Sequence, residues 1–193
     1  MRIPAAASDT LKAAPSFFTR VRDLPAEHRL PELFEFQIRS ARPEEAESLS
    51  ALALRSKAYW GYSADFMQAC REELTLTAAY VQKNPTFVAE QNREVVGFGS
   101  LERLSATRVE LGYLFIDPAA IGCGFGRQLM EFAKQEACKL GYTSMTVQGD
   151  PNAESFYRVS GGVLVGTRES MSVAGRQLPL FEFDPALAKP YRR

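Results

Sequence analysis

Phe34, Phe36 and Ile38 alternate with Glu35, Gln37 and Arg39, the period of two that marks a half-buried strand. The spacing then changes. Ser40-Ala41-Arg42-Pro43-Glu44-Glu45 reads as a helix start, with proline in the first turn and acids at the positive end of the dipole. Leu49, Leu52, Ala53 and Ser56 follow on one helical face. A second helix is predicted over 64–74, with Phe66, Met67, Cys70 and Leu74 inward. Asn84-Pro85 breaks the chain before strands at 86–90 and 94–104, and Gln91-Asn92-Arg93 between them suits a hairpin. A third strand runs over 108–116 and ends at Asp117-Pro118. A loop at 122–126 leads to a helix over 127–140, with Leu129, Phe132, Ala133, Ala137 and Leu140 on its buried side and Gly141 as a left-handed stop. A strand at 144–148, a short helix near 153–159 and strands near 163–169 and 178–183 complete the series. Strand, helices, three strands, helix, strand, helix and two strands make an α+β order, a meander feeding a glycine loop and helix.

Before this ordered stretch, residues 1–33 hold Pro4, Pro15, Pro25 and Pro31 and no sustained period, so they read as an N-terminal extension. The expected division is extension 1–33, domain 34–185 and tail 186–193. A chain of 193 residues favours one domain. With 23 basic and 23 acidic side chains there is no basic excess to recruit nucleic acid. No apolar run of about 18 residues is present for a membrane span, and the first nine residues lack the continuous apolar core of a signal peptide. Three cysteines without a CxxC spacing argue against a disulfide framework and for a reducing cytoplasm. The single histidine, His28, removes HExxH and histidine-rich metal chemistry. Acid–base work falls to Glu, Asp, Tyr or Cys.

The most informative segment is Leu114-Phe115-Ile116-Asp117-Pro118-Ala119-Ala120-Ile121-Gly122-Cys123-Gly124-Phe125-Gly126-Arg127-Gln128-Leu129. An apolar strand ends, and three glycines at alternate positions lead into an amphipathic helix. Glycine lets backbone amides approach a ligand without a Cβ in the way, and a helix N-terminus adds about half a positive charge. The pair makes an anion site suited to phosphate or pyrophosphate. A G-x-G-x-x-G frame fails, because its last position falls on Arg127 or Leu129. No Gly-Lys-Ser/Thr triplet follows for a nucleoside-triphosphate loop.

The segment resembles the acetyl-CoA signature of the GNAT superfamily of N-acetyltransferases, Gln/Arg-x-x-Gly-x-Gly/Ala. Ile121 stands at its first position and Cys123 replaces the frequent basic residue beside the phosphates; backbone amides carry most of the pyrophosphate contact. Downstream, Asp150-Pro151-Asn152-Ala153-Glu154-Ser155-Phe156-Tyr157-Arg158-Val159-Ser160-Gly161 is similar to the family's Asn-x-x-Ala-x-x-Phe-Tyr-x-x-x-Gly segment, shortened around the Asn. The element order also matches, and the resemblance covers about 34–183. It implies a mixed, mostly antiparallel central sheet flanked by helices, with a strand–glycine loop–helix acyl-CoA site.

The resemblance also implies roles. Phe115 and Ile116 would pair with the pantetheine amides, and a splayed strand there would let an N–H polarise the thioester carbonyl. Cys123, Gly124, Phe125, Gly126, Arg127, Gln128 and Leu129 would surround the phosphates, and Asn152 would bond the cofactor or orient the following helix. Tyr157 sits where the family keeps a tyrosine that protonates the departing CoA sulfur. Glu110 matches a general base of some members, with Glu102 or a water relay as the alternatives. Tyr59, Trp60 and Tyr62 would form the acceptor pocket, since aromatic faces bind amines. The expected activity is acetyl transfer from acetyl-CoA to a small amine or peptide acceptor, without nucleic acid or membrane. A catalytically weak acyl-CoA sensor is the alternative, and a homodimer fits the habit of many relatives.

Overall fold

The computed structural model describes residues 36–191; the extension 1–33 and His28 lie outside them. The predicted first strand is β1 (Phe36–Ser40), followed by a 3₁₀ turn at Pro43–Glu45 and α1 (Ala46–Ala58). Next come α2 (Ala64–Ala69), α3 (Ala78–Lys83), β2 (Thr86–Gln91), β3 (Glu94–Arg103) and β4 (Arg108–Ile116). The second half holds α4 (Phe125–Lys139), β5 (Ser144–Gln148), α5 (Glu154–Val159), β6 (Val163–Glu169) and β7 (Gln177–Phe183). Among the described residues seven strands form one sheet in the order β1-β2-β3-β4-β5-β7-β6. Every neighbouring pair is antiparallel except β4–β5. That pair is parallel because α4 makes the crossover between them.

Each face of the sheet is covered. On one, Leu129, Met130, Ala133 and Ala137 of α4 pack with Leu101, Val109, Leu111, Met145, Phe181 and Tyr157. On the other, Leu49, Leu52 and Ala53 of α1 pack with Cys70, Leu74, Val81, Val88 and Phe98. The β2–β3 hairpin turns through Asn92 and Arg93, both with positive φ (52° and 69°), as in the mirror-image two-residue turns that match strand twist.

Four local readings change. The helix expected over 64–74 stops at Ala69, although Cys70 and Leu74 are buried as foreseen. An unexpected helix, α3, follows, started by Thr77, whose hydroxyl accepts from the Tyr80 amide at 3.1 Å. The helix after the glycine loop begins at Phe125, two residues early, because Gly124 supplies a left-handed N-cap. Leu140 is exposed rather than inward, since it caps the helix beyond the last turn that faces the sheet.

Of the tail, Pro185–Leu187 form a 3₁₀ turn. The Lys189 amide then donates to Glu131 at 2.6 Å, Gln135 donates to the Lys189 carbonyl, and Tyr191 meets Phe132 edge-on. The residues up to Tyr191 thus lie along α4. Among the described residues no helix is long and apolar enough to cross a membrane.

Candidate functional site

The parallel strands β4 and β5 stay together only over Arg108–Glu110 and Ser144–Thr146. Beyond that point β4 continues with β3, and β5 with β7. A wedge therefore opens inside the sheet. A cavity of about 480 Å³ fills it, lined by Leu114, Phe115, Ile116, Phe156 and Tyr157, and also by Lys57, Trp60, Glu73 and Leu74 of the opposite layer. The chain's own topology creates this gap.

At one end lies the glycine loop. Asp117 accepts from the Ala119 amide at 3.1 Å and from Arg55 at 2.7 Å, which fixes the exit from β4. Arg55 also holds the Asp117 carboxyl below its ordinary range. Gly122 and Gly124 have φ of +87° and +89°, and a Cβ on either would face open space. The backbone there takes a conformation that favours glycine, and both residues line the gap. The first helical bond of α4 runs from the Gln128 amide to the Gly124 carbonyl at 3.2 Å. The amides of Phe125, Gly126 and Arg127 precede it and have no acceptor in the helix. They sit at the positive end of a 15-residue helix.

Side chains divide more finely around this loop. The Phe125 ring is buried against Phe36, with centroids 5.4 Å apart, and Leu129 is wholly buried in the core; both can offer a ligand only their backbone. Cys123, Gly124, Arg127 and Gln128 line a second cavity of about 770 Å³ between α4, the end of α5 and the C-terminal segment. Gln128 Oε1 is buried without a donor among the described residues. An acceptor stranded there fits a site completed by a bound molecule.

Tyr157 on α5 lines the central gap. Its ring packs on Phe181 and Phe156, both at 5.3 Å between centroids. The hydroxyl takes no hydrogen bond among the described residues. Burial, and secondarily the charge of Asp150, push the phenol well above the ordinary tyrosine range. It stays protonated across the neutral range and remains a proton donor.

Beside it a polar hub joins three elements. Tyr62 donates to Asp150 (2.8 Å) and accepts from Asn152 Nδ2 (2.9 Å) and Arg176 (2.8 Å). Lys57 Nζ lies 2.7 Å from Asp150. Lys57 and Arg176 also approach the Tyr62 and Phe66 ring faces, Arg176 to within 4.7 Å of the Phe66 centroid. Burial alone would raise the Asp150 carboxyl, but the Lys57 bond and charge bring it below its usual value. Tyr62 is raised by burial and by Asp150.

The expected acceptor aromatics therefore separate. Trp60 lines the gap, Tyr62 is the centre of the hub, and Tyr59 is exposed without lining the gap. Asn152 lines the gap and spends its amide on Tyr62. Glu110 is held at both oxygens by Arg168 of β6, at 2.8 and 2.9 Å, and does not line the gap. Sequence reading missed Lys57, Glu73 and Arg176. Only Lys57 stands near a predicted pocket residue in sequence, two positions before Tyr59.

Comparison with known proteins places the chain in a family. Residues 82–161 match the family model described as an acetyltransferase (GNAT) domain. The chain is 34% identical over 146 residues to peptidyl-lysine N-acetyltransferase YjaB of Escherichia coli K12, covering 74% of this chain and 92% of that protein. The fold resembles a GCN5-related N-acetyltransferase from Rhodopseudomonas palustris (TM-score 0.66, 22% identity, 77% of this chain and 94% of that one). It also resembles the PaiA N-acetyltransferase of Thermoplasma acidophilum, solved with coenzyme A (TM-score 0.63, 19% identity, 78% and 99%).

Proposed function

We propose, from the premise that this chain belongs to the GNAT family of N-acetyltransferases, that its split sheet moves an acetyl group from acetyl-CoA to the side-chain amine of a peptidyl lysine. The carrying observation is the parting of β4 and β5 beyond Glu110 and Thr146, with a glycine-capped helix start at one end and a donor tyrosine inside. Acetyl-CoA supplies an activated acyl group on a thioester. The orphan amides of Phe125, Gly126 and Arg127, with Arg127 itself, suit its pyrophosphate. Among the described residues the β5-facing edge of β4 past Glu110 has no strand partner, so its backbone is open to the pantetheine amides near Phe115 and Ile116. The lysine preference is carried over from the named activity of YjaB.

Within the gap, Trp60 and Leu74 exclude water from the acceptor side while Phe156 and Leu114 do so on the other. Tyr157 delivers its proton to the sulfur. Its raised pKa suits that task because desolvation in the same gap raises the basicity of a thiolate as well. The hub of Tyr62, Asp150 and Arg176 ties the α1–α2 connection and the start of β7 to the turn that carries Asn152 and α5. It thereby fixes the acceptor wall relative to Tyr157.

Thermal unfolding with acetyl-CoA, CoA and NAD, followed by mass spectrometry of a pool of lysine peptides, tests the reading. Stabilisation by acetyl-CoA and CoA but not NAD, with acetyl-lysine formed, is the expected result. Absence of a CoA response removes the proposal, and binding without acetyl-lysine makes the protein a binding module instead.

A further inference from the structure

We propose that Glu102 is the general base that deprotonates the acceptor amine. The inference rests on the acetyl-transfer reading above and adds the residue that prepares the nucleophile. Ser100 of β3 pairs with Tyr113 of β4, and Leu101 with Leu111. Gly112 is therefore a one-residue bulge without a partner on β3. Glu110 is the last β4 residue paired with β5, so the bulge sits on the rim of the gap, which Gly112 lines.

The Glu102 carboxylate rests on that glycine. A Cβ at position 112 would collide with Oε1, so any side chain there would displace the acid. Glu102 is oriented from behind. The Tyr80 hydroxyl donates to Oε1 at 2.6 Å. Having spent its proton there, it receives one from the buried Ser100 Oγ at 2.7 Å. Burial and then the neighbouring carboxylate push Tyr80 far above the ordinary tyrosine range, which keeps it a donor. Oε2 has no partner among the described residues, so one oxygen of a fixed carboxylate is free to take a proton.

The faces are also right for the chemistry. Glu102 shares its face of the sheet with Ser100, Phe98 and Tyr113, the side covered by α1 and α3. Tyr157 packs in the core of the other face. An amine deprotonated by Glu102 meets the acyl carbon from one side while Tyr157 meets the sulfur from the other. Glu102 takes one proton from the ammonium and returns it to solvent. The nitrogen lone pair forms the C–N bond as the C–S bond breaks and its electrons leave on sulfur. Tyr157 protonates the sulfur and is reprotonated by the surplus proton on nitrogen. Glu110 is less suited, because Arg168 occupies both its oxygens.

The groups facing Glu102 are Tyr80 from α3, Tyr113 and Glu110 from β4 and, beyond Tyr113, Glu73; Arg168 of β6 neutralises Glu110. In Glu102→Gln, which keeps an oxygen for Tyr80, kcat/KM on the lysine-peptide pool falls about 100-fold at neutral pH, within the usual range for an acid–base group. It recovers as the pH approaches the free-amine pKa of about 10.4. Acetyl-CoA affinity by calorimetry stays at the wild-type value. In Tyr80→Phe, which removes the hydroxyl that orients the carboxylate, kcat/KM falls about tenfold, and the fall is absent in the Glu102→Gln background, as for a residue that acts through the acid. Glu102→Gln within threefold of wild type across pH 6 to 9, or a Tyr80→Phe loss that persists in full in the Glu102→Gln background, overturns the assignment. A wild type that binds acetyl-CoA but yields no acetyl-lysine defeats the acetyl-transfer reading itself, and Glu102 with it.

Discussion

Tyr157 lies against Gly149 so closely that a Cβ on the glycine would stand 2.6 Å from its Cε2. The ring cannot keep its place if residue 149 has a side chain. Gly149→Ala should therefore displace the hydroxyl and lower kcat about 10- to 100-fold, the scale of a misplacement of roughly an ångström, with CoA affinity retained. Tyr157→Phe should give a comparable loss. Steady-state kinetics beside a CoA titration checks both.

Gly124 holds a left-handed φ of +89° at the N-cap of α4. Alanine there is strained by about 1–2 kcal/mol, which should lower Tm by several degrees for a domain of this size. The larger effect should fall on the ligand, because the orphan amides turn with the cap. The Kd for CoA should rise at least tenfold, read by calorimetry.

Lys57 and Asp150 form a mostly buried pair, and Lys57→Met should cost about 2 kcal/mol, as for a lost hydrogen bond to a charge. Tyr62 and Arg176 stay on the carboxylate and limit the loss. The Asp150 carboxyl sits below its ordinary value. The stabilisation it gives is therefore complete above the unfolded value of about 3.9 and disappears as the pH falls through the folded value. Without Lys57 that loss should begin at a higher pH. Acid unfolding followed by circular dichroism measures the shift.

Glu131 and Lys134 lie 2.7 Å apart on α4, both buried, and Lys134 also donates to the Ser160 carbonyl. Lys134→Met strands the carboxylate, with only the Lys189 amide left to it among the described residues. A loss of about 3 kcal/mol is expected in urea unfolding.

The glycine loop was readable because its geometry is local: alternate glycines before an amphipathic run leave a turn and a helix start as the natural outcome. The same holds for the β2–β3 hairpin and for the buried face of α4. Helix α3 escaped because its six residues bury only Val81, too little to show a period. Its one local signal, the Thr77 cap, is a single residue. The hub escaped for another reason. Tyr62 stands 88 positions from Asp150 and 114 from Arg176, and no spacing rule links residues that only tertiary packing brings together. Glu102 and Glu110 are register partners on one face, so alternation treats them alike. What separates them is a bulge at Gly112 and an arginine on β6.

The parting of β4 from β5 has a kinetic consequence. On the proposed function, a gap lined by side chains from both layers of the protein would let donor and acceptor approach from opposite sides, so that neither has to leave before the other enters. Both would then be present together when the acyl group moves, with no acyl group held on the enzyme between. Double-reciprocal plots at fixed acceptor concentrations should then intersect rather than run parallel, a signature written into the sheet by two strands that stop pairing.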